Sequence, residues 1–281
     1  MPPAWAAPPR STPNAGSTGK PNCRVRPVPV QIRAPKMKFL VYNIAYGTGA
    51  PRSRLDQVIS LPRYLHTGRS HLEDVITGIA RRAPDVTGLL EVDNGSFRTG
   101  YHSQGEQIAR ALHQHVYSAV KYEPGSLSRK IPILRRQTNV FLSPEKQLPC
   151  AFHYLSAGMK RLAMEIQVNG VRFFLLHLSL RRPVRERQLR DLRELIEPVR
   201  TPFLIGGDFN VFAGRGELES FMAELGLNSA NERDLPTFPS WCPKKQLDYI
   251  LYSKGIDPVR FEVGNECASD HLPVLFEFEL R

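Results

Sequence analysis

Six places in this 281-residue chain set a chemically able side chain against the end of an apolar run. Phe39-Leu40-Val41-Tyr42 ends at Asn43, Gly88-Leu89-Leu90 at Glu91, and Phe173-Phe174-Leu175-Leu176 at His177. Phe203-Leu204-Ile205-Gly206-Gly207 ends at Asp208, with Asn210 just beyond. Asp248 precedes Tyr249-Ile250-Leu251, and Asp270-His271 precedes Leu272-Pro273-Val274. A single polar residue at an element end usually faces water or caps a turn. Taken together, these ends supply carboxylate and amide oxygens for a hard cation, groups that can orient a water, and imidazoles that handle protons. Gly206 and Gly207, just before Asp208, suit a close backbone approach beside such a site.

The elements that must position these groups are legible as short apolar runs alternating with amphipathic stretches. Strands are predicted over Phe39–Tyr42, Val86–Val92, Val140–Leu142, Leu162–Val168, Val171–Leu178, Phe203–Gly207, Asp248–Tyr252 and Leu272–Leu280. The Asn169-Gly170 dipeptide predicts a tight hairpin. Helices are predicted over Ser70–Ala83, Gly105–His115, Glu186–Val199 and Leu218–Leu225. In the first, Ser70 and Glu73 have capping-box spacing, and Leu72, Val75, Ile76, Ile79 and Ala83 share one face. Hairpins and crossovers together predict an α/β protein with mixed sheets. No fixed-period repeat, GxGxxG or P-loop is present, so nucleotide cradling by such a loop is not indicated.

The strings Tyr42-Asn43, Leu90-Glu91, His177-Leu178, Gly207-Asp208-Phe209-Asn210, Leu247-Asp248-Tyr249-Ile250 and Ser269-Asp270-His271-Leu272-Pro273 resemble, in order, the motifs of the endonuclease/exonuclease/phosphatase superfamily. The resemblance runs from about Met37 to Arg281. It implies a four-layer α/β/β/α sandwich of two mixed sheets flanked by helices. It also implies a Mg2+-dependent phosphoesterase, with Mn2+ as the alternative ion. By that resemblance Glu91 binds the metal with Asn43 in support, and Asp270 assists there or at a second metal. Asp208 and Asn210 orient the attacking water. Asp248 orients His271, and His177, His271 and Asn210 contact the phosphoryl oxygens. Leu90 and Ala45 replace the Gln and Asp usual in abasic-site endonucleases, and those enzymes lack a His where His177 stands. The sequence is thus closer to the deoxyribonuclease, sphingomyelinase and phosphatase branches. An endo- or exonuclease acting on DNA or RNA with the same site is the alternative. A non-catalytic binding module on this scaffold would show breaks in the constellation, and none of its members is missing.

Composition bounds what these residues can serve. Residues 1–36 hold nine of the 24 prolines, six basic residues and no acidic one, which predicts a disordered Pro-rich tail. A passive tail is preferred to a basic arm, and Met37 is an alternative start. Residues 37–281 form the expected catalytic domain, and their 32 basic against 27 acidic residues are a mild surplus. That suits a phosphate-containing substrate (small molecule, lipid head group or nucleic acid) without singling out DNA. Four scattered cysteines (Cys23, Cys150, Cys242, Cys267) predict neither a zinc site nor a disulfide framework. No run reaches the ~18 apolar residues of a membrane span, and no secretory h-region opens the chain. A cytoplasmic monomer is the expectation. Lys130, Arg135 and Arg136, the arginines at 181, 182, 185 and 187, Asn139 and Trp241 are further candidates for substrate contact; plain surface is preferred for the arginine run.

Overall fold

The computed structural model describes residues 36–50, 69–122, 125 and 134–281. The proline-rich tail through residue 35, Cys23 and Lys130 lie outside the described residues. Lys36, assigned to the tail, pairs with Glu277 at 3.6 Å.

Among the described residues twelve strands form two six-stranded mixed sheets. The first has the order β11 (Ile256–Val263), β12 (Val274–Leu280), β1 (Met37–Asn43), β2 (Val86–Asp93), β4 (Gln137–Ser143), β3 (His115–Val120). The second has the order β5 (Cys150–Tyr154), β6 (Leu162–Val168), β7 (Val171–His177), β8 (Phe203–Asp208), β10 (Asp248–Tyr252), β9 (Asn228–Ser229). Only β1–β2 and β7–β8 are parallel pairs. Helices α1 (Arg69–Arg82) and α2 (Gln104–Leu112) precede β2 and β3, and α3 (Arg182–Ile196) and α4 (Glu219–Leu225) flank β8.

The layers follow from strand periodicity. Successive side chains point to opposite faces, and a strand covered on both faces is apolar throughout. Phe39 and Val41 of β1, Phe173 and Leu175 of β7 and Leu204 of β8 join one buried cluster between the sheets. Their alternates, Leu40 and Tyr42, lie with Leu72, Val75 and Ile79 of α1 and Ile108 of α2. Phe174, Leu176, Phe203 and Ile205 lie with Leu189, Leu192 and Ile196 of α3 and Phe221 of α4. The result is the expected four-layer α/β/β/α sandwich. At its centre the Phe39 and Phe173 rings meet edge to face at 5.1 Å, worth ~0.5–1.5 kcal/mol beyond area burial.

Several boundaries differ from expectation. The helix predicted to reach His115 ends at Leu112, because His113 takes the left-handed conformation (φ 54°) and His115 opens β3. Ser103, not considered beforehand, caps that helix by accepting from the Glu106 amide. Ser70 falls within α1 rather than at its cap, and Ala83 leaves the helix face, with φ 45°. Helix α3 starts at Arg182, four residues early, with Pro183 in its first turn, a position that needs no amide proton. Leu218 closes a 3-10 turn (Arg215–Leu218) before α4. Strands β3, β5, β9 and β11 were not foreseen. The hairpin was: Asn169 and Gly170 both have positive φ (50° and 80°), as a type I′ turn requires.

The sheets can meet near the site because Gly206 has no side chain. A Cβ there would stand 2.5 Å from Val41 Cγ2 and 2.6 Å from Phe39 Cε1. Gly206→Val is expected to lower unfolding free energy in urea by ~1–3 kcal/mol through overpacking. Gly216→Ala, which meets nothing within 4 Å, serves as the near-neutral control. Equal stability of the two variants would contradict this packing.

Candidate active site

Strand direction collects the chemistry at one edge. β1, β2, β7 and β8 end there, at Asn43, Glu91-Val92-Asp93, His177 and Asp208. β10 and β12, antiparallel to β8 and β1, begin there, which brings Asp248 opposite Asp208 and carries Asp270-His271 to the same place. All eight site residues singled out in the sequence lie along this edge.

Asp208 is the hub. Its Oδ2 accepts from Asn43 Nδ2 at 3.2 Å and lies 3.1 Å from His177 Nε2 and 3.8 Å from His271 Nε2. Its Oδ1 accepts from the Asn210 amide at 3.0 Å. Asn210 is left-handed (φ 53°), and its Nδ2 donates to Leu178 O at 2.9 Å, which ties the end of β8 to the end of β7. Burial alone would raise the Asp208 carboxyl, but the imidazoles of His177 and His271 outweigh it and hold the group well below the usual carboxylate range.

His271 bridges two carboxylates. Its Nδ1 lies 2.8 Å from Asp248 Oδ2 while Nε2 faces Asp208. Burial pulls the imidazole down, and Asp248 with Asp208 pull it up further, to about 10. Burial also pushes Asp248 upward. The shared proton sits on the imidazole, which starts as the stronger base and feels both carboxylates. Thr237 locks the pair: its hydroxyl donates to Asp248 Oδ2 at 2.6 Å and accepts from the amides of Leu247 and Asp248. The Phe238 ring lies 4.9 Å from the imidazole. Trp241, four residues on from Thr237, is half-buried, and it is Thr237 and Phe238 that touch the Asp248–His271 pair.

Glu91 sits on a β-bulge. The β2–β4 register slips between Leu89 and Val92, and Glu91 takes φ 53°, which turns its carboxylate into the site. Asn139 of β4 faces this bulge with its Oδ1 buried and without a hydrogen-bond partner. Glu91 Oε1 lies 3.5 Å from Lys160 Nζ, 3.7 Å from His177 Nδ1 and 3.9 Å from Lys121 Nζ. Burial raises the Glu91 carboxyl, yet Lys121 and Lys160 bring it down to about 2. Burial also lowers Lys121, to about 8. The Lys121 ammonium reaches Tyr46 Oη at 3.1 Å; Arg98 stacks on the Tyr46 ring and pairs with buried Asp93 at 2.7 Å. Neither lysine was foreseen. Lys121 follows β3 by one residue and Lys160 precedes β6 by two, positions that read as ordinary solvated charge. The Asn43 amide donates to Asp208, and its Oδ1 accepts from the Ala45 amide.

His177 differs electrically from His271. Burial first, then Lys160, lowers it to about 4, so it is neutral at pH 7. Its Nε2 contacts both Asp208 and Lys160 Nζ and can serve only one of them at a time, as donor or as acceptor. Its Nδ1 is buried, partnerless, and faces Glu91. Asp270 is raised by burial, with Glu91 and Asp208 adding to the effect. Arg185, expected on the surface, is buried: it donates to Ser179 O and Leu180 O and pairs with Glu217, so it pins the loop after His177.

A divalent cation fits one part of this edge better than another. One atom each of Asp208, Asp248 and His271 lies within 4.8 Å of the others, a group that could hold a metal. Both nitrogens of His271 face carboxylates, however, and a protonated ring has no lone pair to give. The Glu91 end offers carboxylate oxygens and His177 Nδ1, which has no hydrogen-bond partner; a cation there would displace the Lys160 ammonium from Glu91.

For His271 the folded value near 10 exceeds the ordinary 6.5. Its contribution to stability is therefore complete below pH ~6.5 and fades as pH rises toward 10. By NMR the His271 ring is expected to stay protonated at pH 8.5, and in Asp248→Asn to titrate at least ~1 unit lower. A wild-type midpoint near 6.5 would contradict the bridged geometry.

Comparison with known proteins agrees with this architecture. The model of the endonuclease/exonuclease/phosphatase family matches residues 40–271. The chain is 28% identical to UPF0294 protein YE0917 of Yersinia enterocolitica over 190 residues, 65% of this chain and 67% of that protein. A solved endonuclease/exonuclease/phosphatase from Beutenbergia cavernae superposes with TM-score 0.63 at 20% identity, covering 87% of this chain and 72% of the other. The human Nocturnin catalytic domain with bound sulfate gives 0.61 at 19% identity, covering 89% and 95%. The match spans every element that carries a site residue, and the chain belongs to the endonuclease/exonuclease/phosphatase family, hydrolases of phosphate esters.

Proposed function

We propose that this protein hydrolyses a phosphate ester or phosphodiester with Mg2+, Mn2+ being the alternative ion, by attack of a water oriented at Asp208. The observation that carries the reading is the convergence on Asp208: an ionised carboxylate held by Asn43, His177 and the Asn210 amide, beside an imidazolium. The carboxylate accepts a hydrogen bond from the attacking water and takes its proton as the new P–O bond forms; the ester P–O bond breaks and the leaving oxygen takes a proton from solvent. Asn210, its amide plane fixed by Leu178 O, helps to orient that water. The His271 imidazolium, kept charged by Asp248, donates through Nε2 to a phosphoryl oxygen and stabilises charge as it develops. Neutral His177 donates through Nε2 or passes that role to Lys160.

Glu91 would hold the cation, with Asp270 beside it and Asn43 acting at one remove through Asp208. When bound, such an ion polarises the phosphoryl group and neutralises developing charge. Oxygen ligands and a carboxylate count of one or two suit Mg2+. Among the described residues no helix is long and apolar enough to cross a membrane. A nuclease is the second reading, because Arg135 and Arg136 stand exposed where β4 begins at this edge.

The test is hydrolysis by purified protein, with Mg2+ or EDTA, of supercoiled plasmid, abasic-site duplex, a chromogenic phosphodiester, sphingomyelin and inositol phosphates. Turnover that needs the cation and falls ~10²–10⁴-fold in Asp208→Ala, with the fold intact by circular dichroism, is expected. Activity indifferent to EDTA and to Asp208→Ala would sink the reading. By calorimetry Glu91→Gln should bind Mg2+ at least ~10-fold more weakly, the loss of one charged oxygen ligand. Unchanged affinity would remove Glu91 from the metal site.

A further inference from the structure

The loops around the site edge carry apolar side chains that the sandwich does not bury. Eight large hydrophobic residues are exposed among the described residues. Two, Phe152 and Val259, lie on strands. The other six are Phe97, Tyr101, Met159, Leu180, Phe212 and Leu235, and every one lies in a loop at the site edge. The described loops of the opposite edge carry none. Tyr101 is 78% exposed, and Met159 and Leu180 are each 61% exposed. Met159 adjoins Lys160, which touches His177 and Glu91, and Leu180 follows His177 by three residues. Phe212 meets Phe238 edge to face at 6.1 Å, and Phe238 packs on His271.

Charge on these loops is one-signed where the most exposed residues stand. The loops 94–103, 155–161 and 178–181 contain no Asp or Glu. Arg98 is buried against Asp93, and Lys160, Arg161 and Arg181 carry the charge of these loops. Exposed Arg135 and Arg136 enter β4 at the same edge, where the Asn94 amide bonds Arg136 O at 2.8 Å. An apolar rim with a cationic girdle complements an interface whose interior is hydrocarbon and whose surface is anionic. Exposed apolar side chains gathered around a site mark an interaction surface.

We infer that these loops dock the protein on a bilayer containing anionic lipid and present a head-group phosphate to Asp208 and His271. The inference rests on the phosphoesterase reading for its substrate and on the rim alone for its partner. Single-stranded nucleic acid fits less well. Met159, Leu180 and Leu235 have no ring to stack on bases, and the six side chains come from five separate loops around a mouth rather than along a groove.

The experiment is vesicle flotation of the full chain with phosphatidylcholine alone and with phosphatidylcholine containing phosphatidylserine, for wild type and Phe97→Ser/Tyr101→Ser/Leu180→Ser. Wild type should float with the anionic vesicles, and the variant should bind them at least ~10-fold more weakly, the loss of about one interfacial anchor's worth of burial. Hydrolysis of a soluble chromogenic phosphodiester should be unchanged in the variant. Failure of wild type to float overturns the inference. So does variant binding equal to wild type, preference for single-stranded RNA over vesicles, or a dimer that the substitutions dissolve. Flotation without hydrolysis of any ester would leave the docking surface standing and remove the phosphoesterase reading; hydrolysis without flotation would do the reverse.

Discussion

Charge compensation in a buried place governs this structure. Asp208, Asp248, Asp270 and Glu91 converge at one sheet edge, and isolated carboxylates there would be too costly to keep ionised. The fold answers with His271 between two of them and with Lys121 and Lys160 against Glu91. Four carboxylates face three positive groups, because burial and Lys160 keep His177 neutral. The residue of negative charge is what a hard cation would relieve. Removing one member of such a set leaves its partner buried and unpaired, so these residues support one another.

That compensation divides the edge into two halves with different chemistry. Around His271 the bonds are directed: Thr237, Asp248 and the imidazole are hydrogen-bonded in sequence, and Asp208 lies 3.8 Å beyond Nε2. Around Glu91 the contacts are looser, between 3.5 and 3.9 Å, and rely on charge rather than directed bonds. Asp208 and His177 join the halves. The β-bulge at Glu91 is the backbone cost of aiming a strand-end carboxylate sideways, and the Tyr46–Lys121–Arg98–Asp93 stack braces it.

Much of this was legible in the residues. Asn43, Glu91, His177, Asp208, Asp248 and His271 stand out because a polar group interrupts an apolar run, and a strand buried on both faces leaves no other reason for the break. The layers were legible for the same reason. What escaped was carried by long-range geometry. Lys121 and Lys160 look like loop charges, and only the fold turns them inward. Thr237 acts on Asp248, 11 positions away, across a loop. The partner of Asn43 depends on how two sheets face each other, which no local pattern encodes. The edge strands β3, β5 and β11 were missed because they are half-exposed, with polar residues where central strands are apolar.

We place the cation at Glu91, with Asp208, Asp248 and His271 forming a protonated network. Anomalous diffraction from a Mn2+-soaked crystal tests it most directly. A peak within ~2.2 Å of a Glu91 oxygen, with the Lys160 ammonium moved away, is predicted. A peak enclosed by Asp208, Asp248 and His271, with none at Glu91, would contradict it.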